Sequence, residues 1–359
     1  MTSAVKKLFT AGALAASMAL LPSLSCATET IQIAAISGYS NTTSWVKIFE
    51  NYFIPEVDKV LAAKGQYKIK WNRAFSGTVV KPRGEIDGVS SGLGDIGIIV
   101  PPFHVDKLPL YNVGFVTPFA TGDLNVVNKA MQQIARDVPA FKKEWDALGL
   151  VYLGSAGSVN NYQAVCKTNK PTAADFKGVK VIGAGTNLLY FKSVGAIGIN
   201  SNLGDYYNQL QTGVGACASV WAEAAAAFKL YEVAPFFIKI DQGAVASFGV
   251  AANKRFWLNL PKPVAEAIQK AADGYGAALA DYVNAASEKG LETYRKNGGT
   301  VVQYTSEQRR AWASGMPNIA KEWAVATDKL GKPGTEVLKR YMDVLRANNQ
   351  PIARQWDKE

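Results

Sequence analysis

The chain reads as an α/β protein of two lobes, each built around a central sheet, with one long helix lying across both. Short, continuously apolar segments alternate with segments whose apolar residues recur every three or four positions, the pattern of strands buried on both faces between helices. With an N-terminal leader set aside, roughly 330 residues remain, more than one hydrophobic core usually supports. A single apolar stripe then runs from residue 263 to about 295. At about 1.5 Å per residue this makes a helix of roughly 50 Å, longer than one lobe needs.

The leader comes first. Lys6 and Lys7 precede an apolar run over 8–24, and Ser25-Cys26-Ala27 offers small side chains at a cleavage site, so Thr28 is the expected mature start. Lipidation of Cys26 is the weaker alternative, because Ser23 stands where such a signal has an apolar residue. No later stretch has the ~18 uninterrupted apolar residues of a membrane span. Residues 31–36 form the first strand, ending at Ser37-Gly38-Tyr39-Ser40, and Trp45, Ile48, Phe49, Tyr52 and Phe53 mark the next helix. Residues 67–75 alternate, with Ile69 and Trp71 on one face, and break at Ser76-Gly77-Thr78. A further helix leads to Gly92-Leu93-Gly94-Asp95 and the apolar strand 96–100, closed by Pro101-Pro102.

The pattern restarts near 151–153. Segments 162–166, 179–182 and 214–219 read as strands of a second sheet, interleaved with helices at 186–194 and 205–212. Residues 244–251 are strand-like and would return the chain toward the first lobe. The long helix, with Val264, Ile268, Ala271, Tyr275, Leu279, Tyr282 and Ala286 on its stripe, stops at Gly298-Gly299, and helices starting at Ser306 and Thr335 finish the chain. The expected division is 1–27 leader; 28–152 plus about 241–262 first lobe; 153–240 plus about 297–335 second lobe; 263–295 the shared helix; 336–359 a C-terminal helix and tail.

Ligands of such sheets sit beyond the carboxyl ends of the strands. That rule selects loops carrying Tyr39; Phe75, Gly77 and Thr78; Phe103; Ile182, Gly183 and Gly185; and Ser219 and Trp221, with Asn161 and Gln163 at the start of a second-sheet strand. Two lobes facing each other would bring these loops into one cleft that closes by a hinge. Gly183-Ala184-Gly185 after a strand resembles a dinucleotide turn, but Leu188 stands at its third glycine position and no acid follows until Asp205. What survives is a glycine-rich turn with backbone N–H groups suited to an anionic or polar group.

Other chemistry is poorly supported. His104 is the only histidine, and pairs such as Glu85 with Asp87 or Glu288 with Glu292 fall in polar helical stretches, read as solvated faces. An enzyme is therefore not expected, nor a cofactor or a metal. Removing Lys6 and Lys7 with the leader lowers the formal charge from +10 to +8, but the basic residues are scattered and no zinc spacing occurs, which excludes nucleic acid as a partner. Cys166 and Cys217 remain in the mature chain, and either a disulfide or two buried thiols fits them. The 11% aromatic content is mostly core, and the stripe of Trp45, Phe49 and Phe53 is assigned to packing; Trp221, just past a strand end, is better placed to stack on a ligand.

The order of several segments resembles the solute-binding subunits of tripartite ATP-independent periplasmic (TRAP) transporters, the DctP-like family. The matching pieces are Gly92-Leu93-Gly94-Asp95-Ile96, Asp175-Phe176-Lys177-Gly178-Val179-Lys180-Val181, Tyr207-Asn208-Gln209-Leu210-Gln211-Thr212-Gly213-Val214, Lys229-Leu230-Tyr231-Glu232-Val233-Ala234 and Phe256-Trp257-Leu258-Asn259-Leu260-Pro261. The resemblance covers about 30 to 330. It implies a periplasmic binding protein fold of type II kind, capture of a small organic solute in the periplasm, and delivery to a small and a large membrane subunit driven by an ion gradient. It also implies an arginine at the end of strand 180–182 pairing with a ligand carboxylate. Here that place holds Ile182, a further basic position is Gln163, and the family's V-D-G and Asn-Pro are Gly215-Ala216-Cys217 and Val220-Trp221. An aromatic or less charged organic acid is thus expected rather than a C4-dicarboxylate, its carboxylate held by the 183–187 amides or by Lys81 or Arg83. The alternatives are a binding protein of an ABC importer or sensor and, further off, an exported oxidoreductase.

Overall fold

The computed structural model describes residues 1–2 and 28–359; the rest of the expected leader, Cys26 included, lies outside the described residues. Two mixed sheets with helices packed on them make up the protein. The first sheet contains β1 (Glu29–Ile36), β2 (Tyr67–Ala74), β3 (Ile96–Ile99) and β4 (Leu150–Val159). The second contains β5 (Gln163–Cys166), β6 (Lys180–Gly183), β7 (Ile197–Asn200), β8 (Cys217–Val220), β9 (Phe236–Lys239) and β11 (Thr300–Gln303); β10 (Val245–Asn253) goes back to the first.

The spatial orders are β2-β1-β3-β10-β4 and β11-β9-β5-β8-β6-β7. In the first sheet β1 runs parallel to β2 along its whole length and to β3, whereas β10 is antiparallel to β3 and β4. In the second, β6 is parallel to β7 and β8, and β5 is antiparallel to β8 and β9. The four residues of β3 and the nine of β10 are all buried, as strands covered on both faces must be.

Several elements differ from the sequence pattern. The segment at which the pattern restarts, β4, pairs with β10 inside the first sheet. Its neighbour β10 comes from far along the chain, so local periodicity carries no sign of the pairing. Strands β7, β9 and β11 have four residues each, too few to stand out by alternation. A helix, Ile319–Lys329, lies between the two expected after the long one.

The long helix spans Lys262–Lys296. Its buried line starts as expected at Val264, Ile268, Ala271, Tyr275 and Leu279, then passes to Val283, Ser287, Gly290, Leu291 and Tyr294, leaving Tyr282 and Ala286 half-buried. The helix packs on β4 and then on the short helix Ala222–Ala227, so the covered face rotates as the partner changes. Tyr275 donates to the Trp45 carbonyl at 2.7 Å in the first half, and Tyr294 to the Ala234 carbonyl at 3.1 Å in the second.

The two crossings between sheets lie side by side. Gln163 exchanges both side-chain hydrogen bonds with Asp241, Nε2 donating at 2.7 Å and Oε1 accepting from the Asp241 amide at 2.8 Å. Asn161 Oδ1 accepts from the Gly243 amide at 3.1 Å. These side chains zip the 160–163 and 241–245 segments into a two-stranded hinge. Cys166 and Cys217 are joined in a disulfide, directly opposite each other on β5 and β8.

Candidate functional site

Seven aromatic rings converge between the sheets. Tyr39, Trp45, Phe103 and Phe248 come from the first half, and Tyr162, Tyr206 and Trp221 from the second; Val100, Pro102, Ala184, Asn187, Leu203 and Ser247 complete the wall. Most of these residues follow strand ends: Tyr39 after β1, Val100 to Phe103 after β3, Ala184 and Asn187 after β6, Trp221 after β8. This is where the parallel strands of both sheets leave a crevice. The space between the side chains is a narrow cavity of about 40 Å³.

The rings fix one another. Trp45 stacks on Phe248 with centroids 4.1 Å apart, and Tyr39 meets Trp45 edge-on at 5.1 Å. Across the cavity, Trp45 and Trp221 are 6.3 Å apart, and Tyr162 stands at 89° to Trp221 at 6.1 Å. Such tilted and edge contacts suit the aromatic quadrupole. Trp221 Nε1 donates to Glu223 Oε2 at 2.9 Å, which sets the indole's orientation.

No charged side chain lines the cavity among the described residues. Burial raises the Tyr39 and Tyr206 hydroxyls well above their ordinary value and Tyr162 up to about 12, with Asn187 and Ser247 beside Tyr162 pulling the other way. All three are protonated at neutral pH and able to donate. Trp45 Nε1 is buried without a hydrogen-bond partner, and Asn187 Nδ2 and Ser247 Oγ are buried with no partner closer than the neighbouring Tyr162 hydroxyl. An unpaired buried polar atom costs about 1–3 kcal/mol, so such atoms on residues lining the cavity from both halves mark a place for a polar partner.

The sequence-derived residues divide. Tyr39, Phe103 and Trp221 line the cavity. Gly183 and Gly185 flank the turn that carries Asn187; Gly185, at φ +57°, sits where a Cβ would lie 2.5 Å from the Pro102 carbonyl oxygen across the cleft. Ile182 is fully buried inside the second sheet and Ser219 lies in β8 with its hydroxyl unpaired. Phe75 packs edge-on against Phe49 at 6.2 Å, and Gly77 and Thr78 belong to the turn beneath it, where Lys81 Nζ donates to the Gly77 carbonyl at 3.0 Å. Asn161 and Gln163 are in the hinge.

Trp45, which its helical spacing assigns to packing, forms a central wall; its stripe meets the cavity as well as the core. Tyr162, Tyr206 and Phe248 were not singled out, although Tyr162 and Phe248 neighbour residues that were. Glu85 is not solvated: it is fully buried, accepts from the Gly38 amide at 3.2 Å, and burial pushes its carboxyl up to about 7. His104 is also buried, outside the cavity wall, with burial lowering its pKa.

A larger cavity, about 590 Å³, lies behind the hinge against the C-terminal tail. Its polar groups are largely paired with one another, Arg309 with Asp241 at 3.2 Å and Thr121 with Gln350 at 2.6 Å. Trp45, Asn187 and Ser247, which line the smaller one, are among the residues with a buried polar atom lacking a close partner. Among the described residues no group of three or more His, Cys, Asp or Glu is placed to hold a metal ion, and no helix is long and apolar enough to cross a membrane.

A two-lobed α/β molecule with one enclosed aromatic cavity between its sheets is a solute-binding protein. The chain belongs to the bacterial extracellular solute-binding protein family 7, DctP, whose model matches residues 42–326, and it is a TRAP-type receptor rather than a member of an enzyme family. Solved structures share the fold at low identity. A TRAP solute-binding protein from Rhodoferax ferrireducens T118 in complex with copurified benzoate is 17% identical, with TM-score 0.78 over 89% of this chain and 98% of that one. A marine metagenome TRAP protein specific for aromatic acid ligands is 18% identical, TM-score 0.76, covering 89% and 100%. The ectoine-binding protein of the Halomonas elongata TeaABC transporter is 19% identical, TM-score 0.74, covering 89% and 100%.

Proposed function

We propose that this protein captures a small aromatic or compact-ring monocarboxylic acid in the periplasm and hands it to the small and large membrane subunits of a TRAP transporter. The observation that carries the reading is the cavity itself. Its faces are aromatic rings, and its polar atoms are mostly donors: the Trp45 indole, the Asn187 amide and the hydroxyls of Ser247, Tyr39, Tyr162 and Tyr206. A flat ring between stacked aromatics, with an acceptor-rich end against neutral donors, answers both features. The benzoate and aromatic acids bound by two relatives of the same fold support this class. Ile182, where the family resemblance implies an arginine, offers a C4-dicarboxylate no guanidinium.

Thermal-shift and calorimetric titration of the mature protein test it. Benzoate is expected to raise Tm with one-to-one stoichiometry and succinate to leave it unchanged. Replacing Asn187 by Leu removes a donor and should weaken benzoate about tenfold. Stabilisation by succinate with none by aromatic acids overturns the reading.

A further inference from the structure

We propose that Arg83 is the latch that holds the two lobes shut over the cavity, and so a positioning residue for ligand retention rather than a direct ligand contact. Its guanidinium lies 4.5 Å over the ring of Phe103, a cavity-wall residue of its own lobe. From there Nη2 donates across the cleft to Asn200 Oδ1 at 3.1 Å and to the Ser201 carbonyl at 3.4 Å, both at the end of β7 in the second sheet. Asn200 Oδ1 also accepts from the Gly185 amide at 3.4 Å. One acceptor thus ties the guanidinium to the turn that leads into Asn187. The latch rests on the cavity being the ligand site.

The first lobe presents Arg83 under constraint. Its backbone is at φ +78°, in a region that non-glycine residues rarely adopt. The loop below is pressed against Gly38, where an added Cβ would stand 2.3 Å from Pro82 N. Gly38 leads directly into Tyr39, so the segment carrying the latch and the segment carrying a cavity wall are packed backbone to backbone. A rigid base, an aromatic platform and two acceptors on the other lobe are what a planar guanidinium fork uses well and a lysine does not. When the lobes part, the Phe103 platform moves with Arg83 and, of the contacts Arg83 makes, only the two cross-lobe bonds break. The latch therefore acts on opening, and its loss appears in the rate at which ligand leaves.

The test measures release and lobe distance separately, with benzoate as probe. In stopped-flow release monitored by tryptophan fluorescence, Arg83→Ala is expected to release benzoate about tenfold faster with little change in the association rate. Asn200→Ala, which removes the far anchor, should reproduce a large part of that effect, and Arg83→Lys should recover little. Pulsed distance measurement between spin labels at Val79→Cys and Leu189→Cys, both exposed and on opposite lobes, should give a longer average in the Arg83→Ala background, with and without benzoate. If wild-type protein ignores benzoate but Arg83→Ala still lengthens the distance, the latch stands and the ligand class falls. If Arg83→Ala weakens benzoate while Asn200→Ala and the distances are unchanged, Arg83 touches the ligand instead and the latch is overturned.

Discussion

The two sheets are held together in different ways. In the first, β1, β2, β4 and β10 run for eight to ten residues, and β1 and β2 keep register from Glu29 against Tyr67 to Ile36 against Ala74. In the second, all six strands have four residues, below the usual strand length, and the middle of the sheet is crossed by the disulfide between Cys166 and Cys217. The first sheet is stabilised mainly by long ladders and the second partly by a covalent link. The second nonetheless supplies Tyr162, Asn187, Tyr206 and Trp221 to the cavity. The disulfide joins the strand after Tyr162 to the strand before Trp221, so the less extensive sheet is braced where it presents its ligand wall.

Breaking the brace should have the largest effect. Closing a loop of 51 residues constrains the unfolded chain by about 4 kcal/mol in the chain-entropy estimate. Cys166→Ala with Cys217→Ala should lose a comparable amount in urea unfolding, with hydrogen-exchange protection falling first in β5, β8 and β9. Equal loss of protection in β1 and β2 would count against unequal sheets.

The second prediction targets the first half. Burial raises Glu85 from the usual 4.5 to about 7, so the folded state favours the neutral acid. Its contribution is fully present below about pH 4.5 and is lost as pH rises through 7, a difference of about 3 kcal/mol. Glu144, also raised to about 7 by burial, shares that window, so Glu85→Gln must be compared with wild type at each pH. The difference between the two should shift steadily in favour of the variant from pH 4.5 to 7.5. A constant difference would mean that Glu85 stays charged on folding.

The smallest effect belongs to the contact between halves. A methyl group at Gly185 would meet the Pro102 carbonyl only when the cleft is shut, on a residue already at φ +57°. Gly185→Ala should cost about 1–2 kcal/mol and weaken benzoate roughly tenfold, read by calorimetry. Unchanged affinity would mean that these loops do not meet in the bound form.

The sequence makes Tyr39, Phe103 and Trp221 visible for one physical reason: parallel strands deliver whatever follows their carboxyl ends to the same crevice. Trp45 escapes that logic because a 3–4 spacing reports that a helix has an apolar face, not whether the face meets a sheet or a cavity. Glu85 reads as solvated because it falls in a polar helical stretch; its burial comes from the Gly38 loop, 47 residues away in sequence. Residues 197–200 and 300–303 show no alternation of buried and exposed positions, and their pairing partners are fixed only by the assembled sheet. The wall of the cavity is legible where topology alone sets it, and illegible where packing does.

The helix Lys262–Lys296 is bonded to each half through a buried tyrosine hydroxyl, Tyr275 on one and Tyr294 on the other, about 28 Å apart along its axis by helical rise. A straight rod pinned at two points resists bending far more than twisting. Lobe motion that preserves both pins must therefore pivot close to the rod, like a book opening along its spine. The amplitude of such movement grows with distance from that spine and is least beside Tyr275, whose neighbouring amides should be among the last to exchange with solvent.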